Sequence, residues 1–158
     1  MHYPSLQKRV HKNFQTIGGY EYNKEEMAFA KEISKSLGKP LNMDYINGIE
    51  PYDVNAKAGG STDVGDVSYA VPTAGLRAAT WVPGTPAHSW QAVAAGGTSI
   101  GSKGLMIAAK ALTLTGMQLF DDPSIIEETK KEFLQIRGED FQYVPLLGDR
   151  EPALDYRN

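Results

Sequence analysis

The segment Thr98–Phe120, "TSIGSKGLMIAAKALTLTGMQLF", decides the fold because it has the longest apolar-rich pattern in the chain. Apolar residues recur there at roughly three- to four-residue intervals, and they are Leu105, Ala108, Ala109, Leu112, Leu119 and Phe120. That period is typical of one side of an α-helix, and Thr98 and Ser99 are residue types that favour helix N-termini. We therefore predict one long, buried helix from about Ser99 to Phe120.

Two further helices are predicted before residue 40. Residues 4–17 carry apolar side chains four, four and three positions apart, and Gly18 ends the pattern. In the next segment, Asn23 and Glu26 form a pair that resembles a capping box, and Gly38 marks the C-terminal end. These signals indicate two packed helices.

The segments on either side of the long helix differ in type. After it, Asp122 and Pro123 are an N-cap and a first-turn proline for an amphipathic helix that Gly138 ends. Before it, Leu76–Val82, "LRAATWV", has β-type residues between a glycine and a proline and predicts a strand. Residues 39–60 lose periodicity and indicate a connector.

The fold class expected from this pattern is α/β, helix-rich with few strands. A sheet of one or two strands buries little apolar surface, so the missing strands indicate that the chain is part of a larger structure. A length of 158 residues suits one domain, which we expect over residues 1–158, with an irregular tail at 139–158.

Composition excludes several classes of function. The net charge is −3 and the 16 Lys and Arg residues form no basic block, so we expect no nucleic-acid partner. No cysteine is present, which excludes disulfides and thiolate ligands. Lysine, glycine and glutamine interrupt the most apolar run, so we expect no membrane span. A soluble cytoplasmic protein is the expectation.

His88, in "GTPAHSWQ", is the first candidate for chemistry because it follows the predicted strand on a loop. Imidazole is a common zinc ligand, although a single histidine near a tryptophan is more often structural. His2 and His11 have no acidic partner at ligand spacing, and we expect both to be solvated.

Two polar stretches are further candidates. Asp63 and Asp66 can bind a metal, orient a histidine or accept hydrogen bonds from a substrate, but capping of a helix is the favoured alternative. The glycine-rich stretch 94–104 lacks the order of a phosphate-binding loop. It can bind a carboxylate through free N–H groups, or it can be a tight turn that lets a helix pack closely, which we favour.

Three motifs in order resemble one family: "STDVGDVSYAVPTAG", "PGTPAHSWQ" and "TSIGSKGLMIAAKAL". They are similar to the C-terminal part of the zinc-dependent amidohydrolases and peptidases related to aminoacylase and carboxypeptidase G. Within that family the sequence is nearest to the p-aminobenzoyl-glutamate hydrolase type. The segment "EEMAFAKEI" and the ending "FQYVPLLGDREPALDYRN" extend the resemblance over nearly the whole chain.

The resemblance implies the C-terminal segment of a zinc-peptidase catalytic domain without the lid or dimerisation domain. The family binds two zinc ions, and His88 matches its last histidine ligand. The remaining matched positions imply contacts with substrate or supporting roles around the site, and they are Ser61, Thr62, Asp63, Asp66, Gly96, Gly97, Thr98 and Ser99.

The family's H-x-D motif, bridging aspartate and catalytic glutamate pair have no counterpart here. The pairs Glu25-Glu26 and Glu127-Glu128 lie in amphipathic segments as solvated faces or caps. Zinc hydrolases need about three protein ligands and an activated water, so no catalytic residue is assigned.

We expect a portion of a metal-dependent amidohydrolase, cleaving N-acyl or aminobenzoyl amino acids, that is inactive as this chain alone. Expected partners are a small amide or dipeptide-like substrate and a complementary chain or second copy. The alternative is a non-catalytic binding or assembly module derived from that fold.

Overall fold

The computed structural model describes residues 3–38, 40–55, 62–145 and 147–155, and these residues form seven α-helices and no β-strand. In chain order the helices are α1 (Pro4–Ile17), α2 (Lys24–Leu37), α3 (Asp44–Asn47), α4 (Val64–Ala70), α5 (Trp90–Gly96), α6 (Ser99–Asp121) and α7 (Ser124–Arg137). None of these helices is both long enough and apolar enough to cross a membrane.

The expected α/β class is wrong for this part of the chain. Leu76–Val82, predicted as a strand, belongs to no β-ladder, and most of it runs without regular secondary structure. A strand exists only when its backbone N–H and C=O groups pair with a second strand, and β-type side chains alone cannot supply that partner. The described residues offer no such strand.

The four helices with clear sequence signals form as predicted. α2 begins with the capping box: the Glu26 N–H donates to Asn23 Oδ1 at 2.8 Å, and the Asn23 N–H donates to Glu26 Oε2 at 2.7 Å. It ends at Gly38, whose φ of 61° is in the left-handed region that glycine adopts without strain. In α7 the structure makes Pro123 the N-cap, one residue later than predicted.

The helices pack in two groups around α6. α1 lies along α6 and also contacts α7, and buried Asn13 of α1 donates to Thr115 Oγ1 of α6 at 2.9 Å. At the N-terminal end of α6, α5 contacts it, and a hydrophobic cluster joins α2, α5 and α6. The buried members of that cluster are Ala30, Ile33, Val82, Ala95 and Ile100.

The segment before α5 crosses α6 at very short range. A Cβ on Gly104 would lie 2.0 Å from the carbonyl oxygen of Ala79, so only glycine fits at this crossing. Tyr20 holds the same carbonyl, since its hydroxyl donates to Ala79 O at 2.8 Å. The segment that leads to His88 is therefore fixed against α6.

The prediction that the long helix is buried is only half right. Its inner side is buried at Ile100, Gly104 and Ala111, whereas Leu105 and Phe120 on its outer side are exposed. The described residues supply a packing partner for the inner side, and the outer apolar side chains remain in contact with solvent.

Candidate functional site

His88 lies on a loop that is fixed at both ends. Before it, Val82 is buried in the core, and the Thr85 N–H donates to Val82 O at 3.1 Å to close a turn. After it, the Ser89 side chain caps α5 by accepting from the Ala92 N–H at 3.2 Å, and Ser89 Oγ donates to Pro86 O at 2.7 Å. His88 thus occupies a defined position between a turn and a helix N-terminus.

The backbone of His88 has an uncommon conformation. Its φ is +58°, and it is the only non-glycine residue with positive φ in the described ranges. Non-glycine residues occupy this left-handed region at a cost of roughly 1–2 kcal/mol. Such strain is often found at functional positions, where the surrounding structure holds a side chain in a required orientation.

His88 lines a shallow cavity of about 440 Å³. Its other walls are Trp81, from the segment before the loop, and Trp90 and Val93 of α5. His88 itself is exposed, as are both tryptophans. A solvent-accessible imidazole beside two aromatic rings can bind a metal ion or an organic ligand.

His88 has no neighbouring set of metal ligands in the described part of the chain. No group of three or more His, Asp or Glu side chains there could hold a metal ion. Stable zinc sites use three or four protein ligands. The residues described therefore do not fit a zinc ion on their own, and no reaction step through zinc can be derived from them.

The acidic candidates lie at the start of α4, away from the His88 cavity walls. Asp63 is the N-cap and Asp66 lies in the first turn, as the capping alternative expects, although the Asp63 side chain makes no capping hydrogen bond. The Thr62 hydroxyl accepts from the Val64 N–H at 3.3 Å. Asp66 interacts with Tyr143, whose pKa is raised by desolvation and then by this carboxylate. Ser61 lies outside the described residues.

The glycine-rich candidates lie where α5 ends and α6 begins, and Gly96, Gly97 and Ser99 are exposed there. A Cβ on Gly101 would lie 2.3 Å from Gly96 O, which fits the close-packing alternative. The Thr98 hydroxyl caps α6 by accepting from the Ile100 N–H at 3.2 Å. Gly97, at the C-cap of α5, donates to Val93 O at 3.3 Å.

A polar cluster around the buried Glu26, next to the turn between α5 and α6, was not predicted from the sequence. Glu26 is 4% exposed, and Ser99 Oγ donates to its Oε1 at 2.6 Å. Lys103 Nζ donates to Glu26 Oε2 at 2.6 Å and to Glu21 O at 2.9 Å. Ser99, expected near substrate, is thereby used to join α6 to α2. The capping pattern identified Glu26, but no local signal identifies Lys103, which is 77 residues away.

A larger cleft of about 690 Å³ lies between α1 and the segment 75–79. His11, which we expected to be solvated, is half-buried on its wall and contacts the Tyr52 ring at 5.7 Å between centroids. Thr62 also lines this cleft, whereas His88 does not. The structure therefore places the sequence candidates in at least two separate surroundings.

Comparison with known proteins adds an independent observation. The chain is 30% identical to a p-aminobenzoyl-glutamate hydrolase subunit of Escherichia coli (strain K12), over 94% of this chain and 36% of that protein. The resemblance seen in the sequence motifs is confirmed. The chain is also 35% identical to a mouse Xaa-Arg dipeptidase, over 61% of this chain and 21% of that enzyme.

The similarity spans only part of each relative. The chain spans about a third of the length of the first relative and about a fifth of the second. No protein-family model and no solved structure matches the chain.

Proposed function

We propose that this chain forms the C-terminal portion of a metal-dependent amidohydrolase that cleaves N-acyl or aminobenzoyl amino acids. The observation that carries the proposal is its similarity, over 94% of its length, to a p-aminobenzoyl-glutamate hydrolase subunit. A mouse dipeptidase among its relatives supports the broader class of amide-bond hydrolases. The scissile bond in both reactions, as their names describe them, is an amide.

His88 is the residue of this chain that we assign to metal binding. Its strained backbone, its fixed loop and its exposed ring support a role as one ligand of a zinc ion. The remaining ligands and the general base come from other residues of the assembled hydrolase.

The other candidates have supporting roles in this proposal. Trp81 and Trp90 give the His88 cavity apolar walls suited to an aromatic or acyl group. Thr98 and Ser99 hold the start of α6, and the Asp63 and Asp66 carboxylates lie at the start of α4, away from the His88 cavity. We expect this chain to be inactive alone, because the one ligand assigned among its described residues cannot activate a water molecule.

A chimera tests the function and the role of His88 together. This chain would replace the part of the Escherichia coli hydrolase subunit to which it aligns. Hydrolysis of p-aminobenzoyl-glutamate and bound zinc would then be measured. We expect the chimera to be active, and His88→Ala to lower hydrolysis about 100-fold or more and to reduce the zinc content.

The matched control is His11→Ala, which removes the other described imidazole and should change hydrolysis by less than about twofold. A folded chimera that keeps its activity and zinc after His88→Ala would contradict the assignment of His88. Turnover by the isolated 158-residue chain would contradict the requirement for ligands from elsewhere.

The second candidate is a non-catalytic binding or assembly module derived from the same fold. The exposed apolar side of α6 favours it, because such surfaces commonly bind proteins. A chimera that folds and assembles but neither binds zinc nor hydrolyses the amide would support this alternative.

A further inference from the structure

The outer side of α6 carries a mostly apolar surface, which we call the α6 outer surface. Its members are Leu105, Met106, Leu112, Met117 and Phe120. At 3.6 residues per turn these side chains lie within roughly 140° of the helix circumference. With a rise of 1.5 Å per residue, the surface from Leu105 to Phe120 is roughly 22 Å long.

This surface has the composition of an interior rather than of a solvated helix face. Phe120 is 89% exposed and Leu105 is 63% exposed. Between Ser102 and Phe120, Lys110 is the one charged residue among the nine exposed positions. A solvated side of an amphipathic helix normally carries charged and polar residues, as the exposed side of α7 does with its Glu and Lys residues. Exposed apolar rows of this kind mark sites of protein contact.

The chain as a whole also exposes more surface than a compact monomer. Its accessible surface is 11378 Å² at a mass of 17.3 kDa. A compact monomer of that mass exposes about 7,800 Å², so the excess is about 3,500 Å². The irregular residues 139–145 and 147–155 are all exposed and contribute to this excess, and the outer side chains of α6 also remain exposed. Interfaces of permanent complexes bury about 2,000–5,000 Å² in total, which this excess can supply.

The length of the relative favours one kind of occupant for the α6 outer surface over a second copy of this chain. The chain aligns over 94% of its own length but over only 36% of the hydrolase subunit, so nearly two thirds of that subunit has no counterpart here. A second copy of this chain would cover the surface and still leave that part unmatched. The polypeptide that corresponds to it is also the source that the proposed function requires for the remaining metal ligands.

We infer that the α6 outer surface is the contact site for the polypeptide that corresponds to the unmatched two thirds of the hydrolase subunit, on the same chain or on a separate one. This inference rests on the proposed function, because it takes the occupant from the same type of hydrolase. The contact is apolar, with aliphatic or aromatic side chains of that polypeptide packed between Leu112 and Phe120.

Site-specific photo-crosslinking in the source cell tests the contact. p-Benzoyl-phenylalanine would replace Leu112, and the crosslinked peptides would be identified by mass spectrometry. The control places the same amino acid at Lys131, which is exposed on α7. We expect Leu112 to crosslink to peptides that match the hydrolase subunit outside the aligned part, with at least a fivefold higher yield than Lys131.

Circular dichroism of each substituted protein verifies that the helices are retained. Crosslinks from Leu112 to a second copy of this chain, to an unrelated protein or to nothing would overturn the inference. So would equal yields from Leu112 and Lys131. Since crosslinking detects contact and not catalysis, an inactive assembly would still give the expected peptides. Conversely, an active chimera whose α6 contacts something else would refute only this inference.

Discussion

Several competing effects determine the pKa of the buried Glu26 carboxyl. Burial by itself would raise the pKa of its carboxyl, but hydrogen bonds from Lys103, Ser99 and the Asn23 N–H together outweigh burial and hold the pKa below its usual value. A carboxylate with a lowered folded pKa stabilises the protein above its unfolded pKa, and this contribution is lost as the pH falls through the folded pKa. The hydrogen bonds that link α2 to α6 in this cluster are therefore acid-sensitive.

The variant Glu26→Gln should lower the free energy of unfolding by about 1–3 kcal/mol at neutral pH, because it removes the charged partner of a buried hydrogen-bond network. The difference from the unsubstituted chain should shrink as the pH falls below about 4. Urea unfolding followed by circular dichroism at several pH values measures both. Glu32→Gln is the control, since the exposed pair Glu32–Lys35 contributes less than about 0.5 kcal/mol. Equal losses of unfolding free energy in the two variants would refute this stabilising role of Glu26.

Gly104 is required by packing and not by backbone conformation. Gly104→Ala should destabilise the chain by about 2 kcal/mol, because the new methyl group meets the Ala79 carbonyl, a backbone atom that cannot turn away. Gly116→Ala in the same helix has no heavy atom within 4 Å of the new Cβ. It should stabilise the chain by roughly 0.5–1 kcal/mol through helix propensity. Thermal unfolding of both variants measures these changes. An unchanged stability of Gly104→Ala would show that α6 and the segment around Ala79 are not in close contact.

At the scale of an element, α5 determines how the His88 loop ends. This short helix was not predicted, although Ser89 before "WQAVAA" is an N-cap signal that could have indicated it. Ser89→Ala should cost about 1 kcal/mol, because it removes the side-chain cap at the Ala92 N–H. Ser102→Ala, on an exposed turn of α6, should stay within about 0.5 kcal/mol. Urea unfolding of the two variants, followed by tryptophan fluorescence, tests whether the cap stabilises the start of α5.

Local signals explain why four helices were predicted correctly and why the strand was not. Asn23 and Glu26 of the capping box lie close together in the sequence, and so do successive apolar residues of α6. Each of these signals is therefore contained in a short stretch of sequence. A strand at Leu76–Val82 depends on a partner that no local pattern reveals. The Glu26–Lys103 contact cannot be predicted from a local pattern for the same reason, since only the tertiary fold brings these two positions together.

At the scale of the whole molecule, the candidate site was predictable only in part. His88 was a candidate from its expected loop position, and the resemblance to a family favoured it further, but its left-handed backbone became visible only in the structure. Thr98 and Ser99 make hydrogen bonds that hold the start of α6, while a contact between them and a substrate stays a prediction. The exposed side of α6 could not be foreseen, because an apolar period predicts that a helix side will be buried but does not say which molecule buries it.

The left-handed conformation of His88 affects what a mutational scan would detect at this position. The residue is exposed and lies outside the hydrophobic core, so most replacements there should leave the amount of folded protein unchanged, and glycine should even raise it slightly by relieving the strain. Val82, six residues earlier and fully buried, should show the opposite behaviour. A mutational scan that reads only protein abundance would therefore overlook His88, whereas under the proposed function a scan that reads hydrolysis by the chimera would detect both positions.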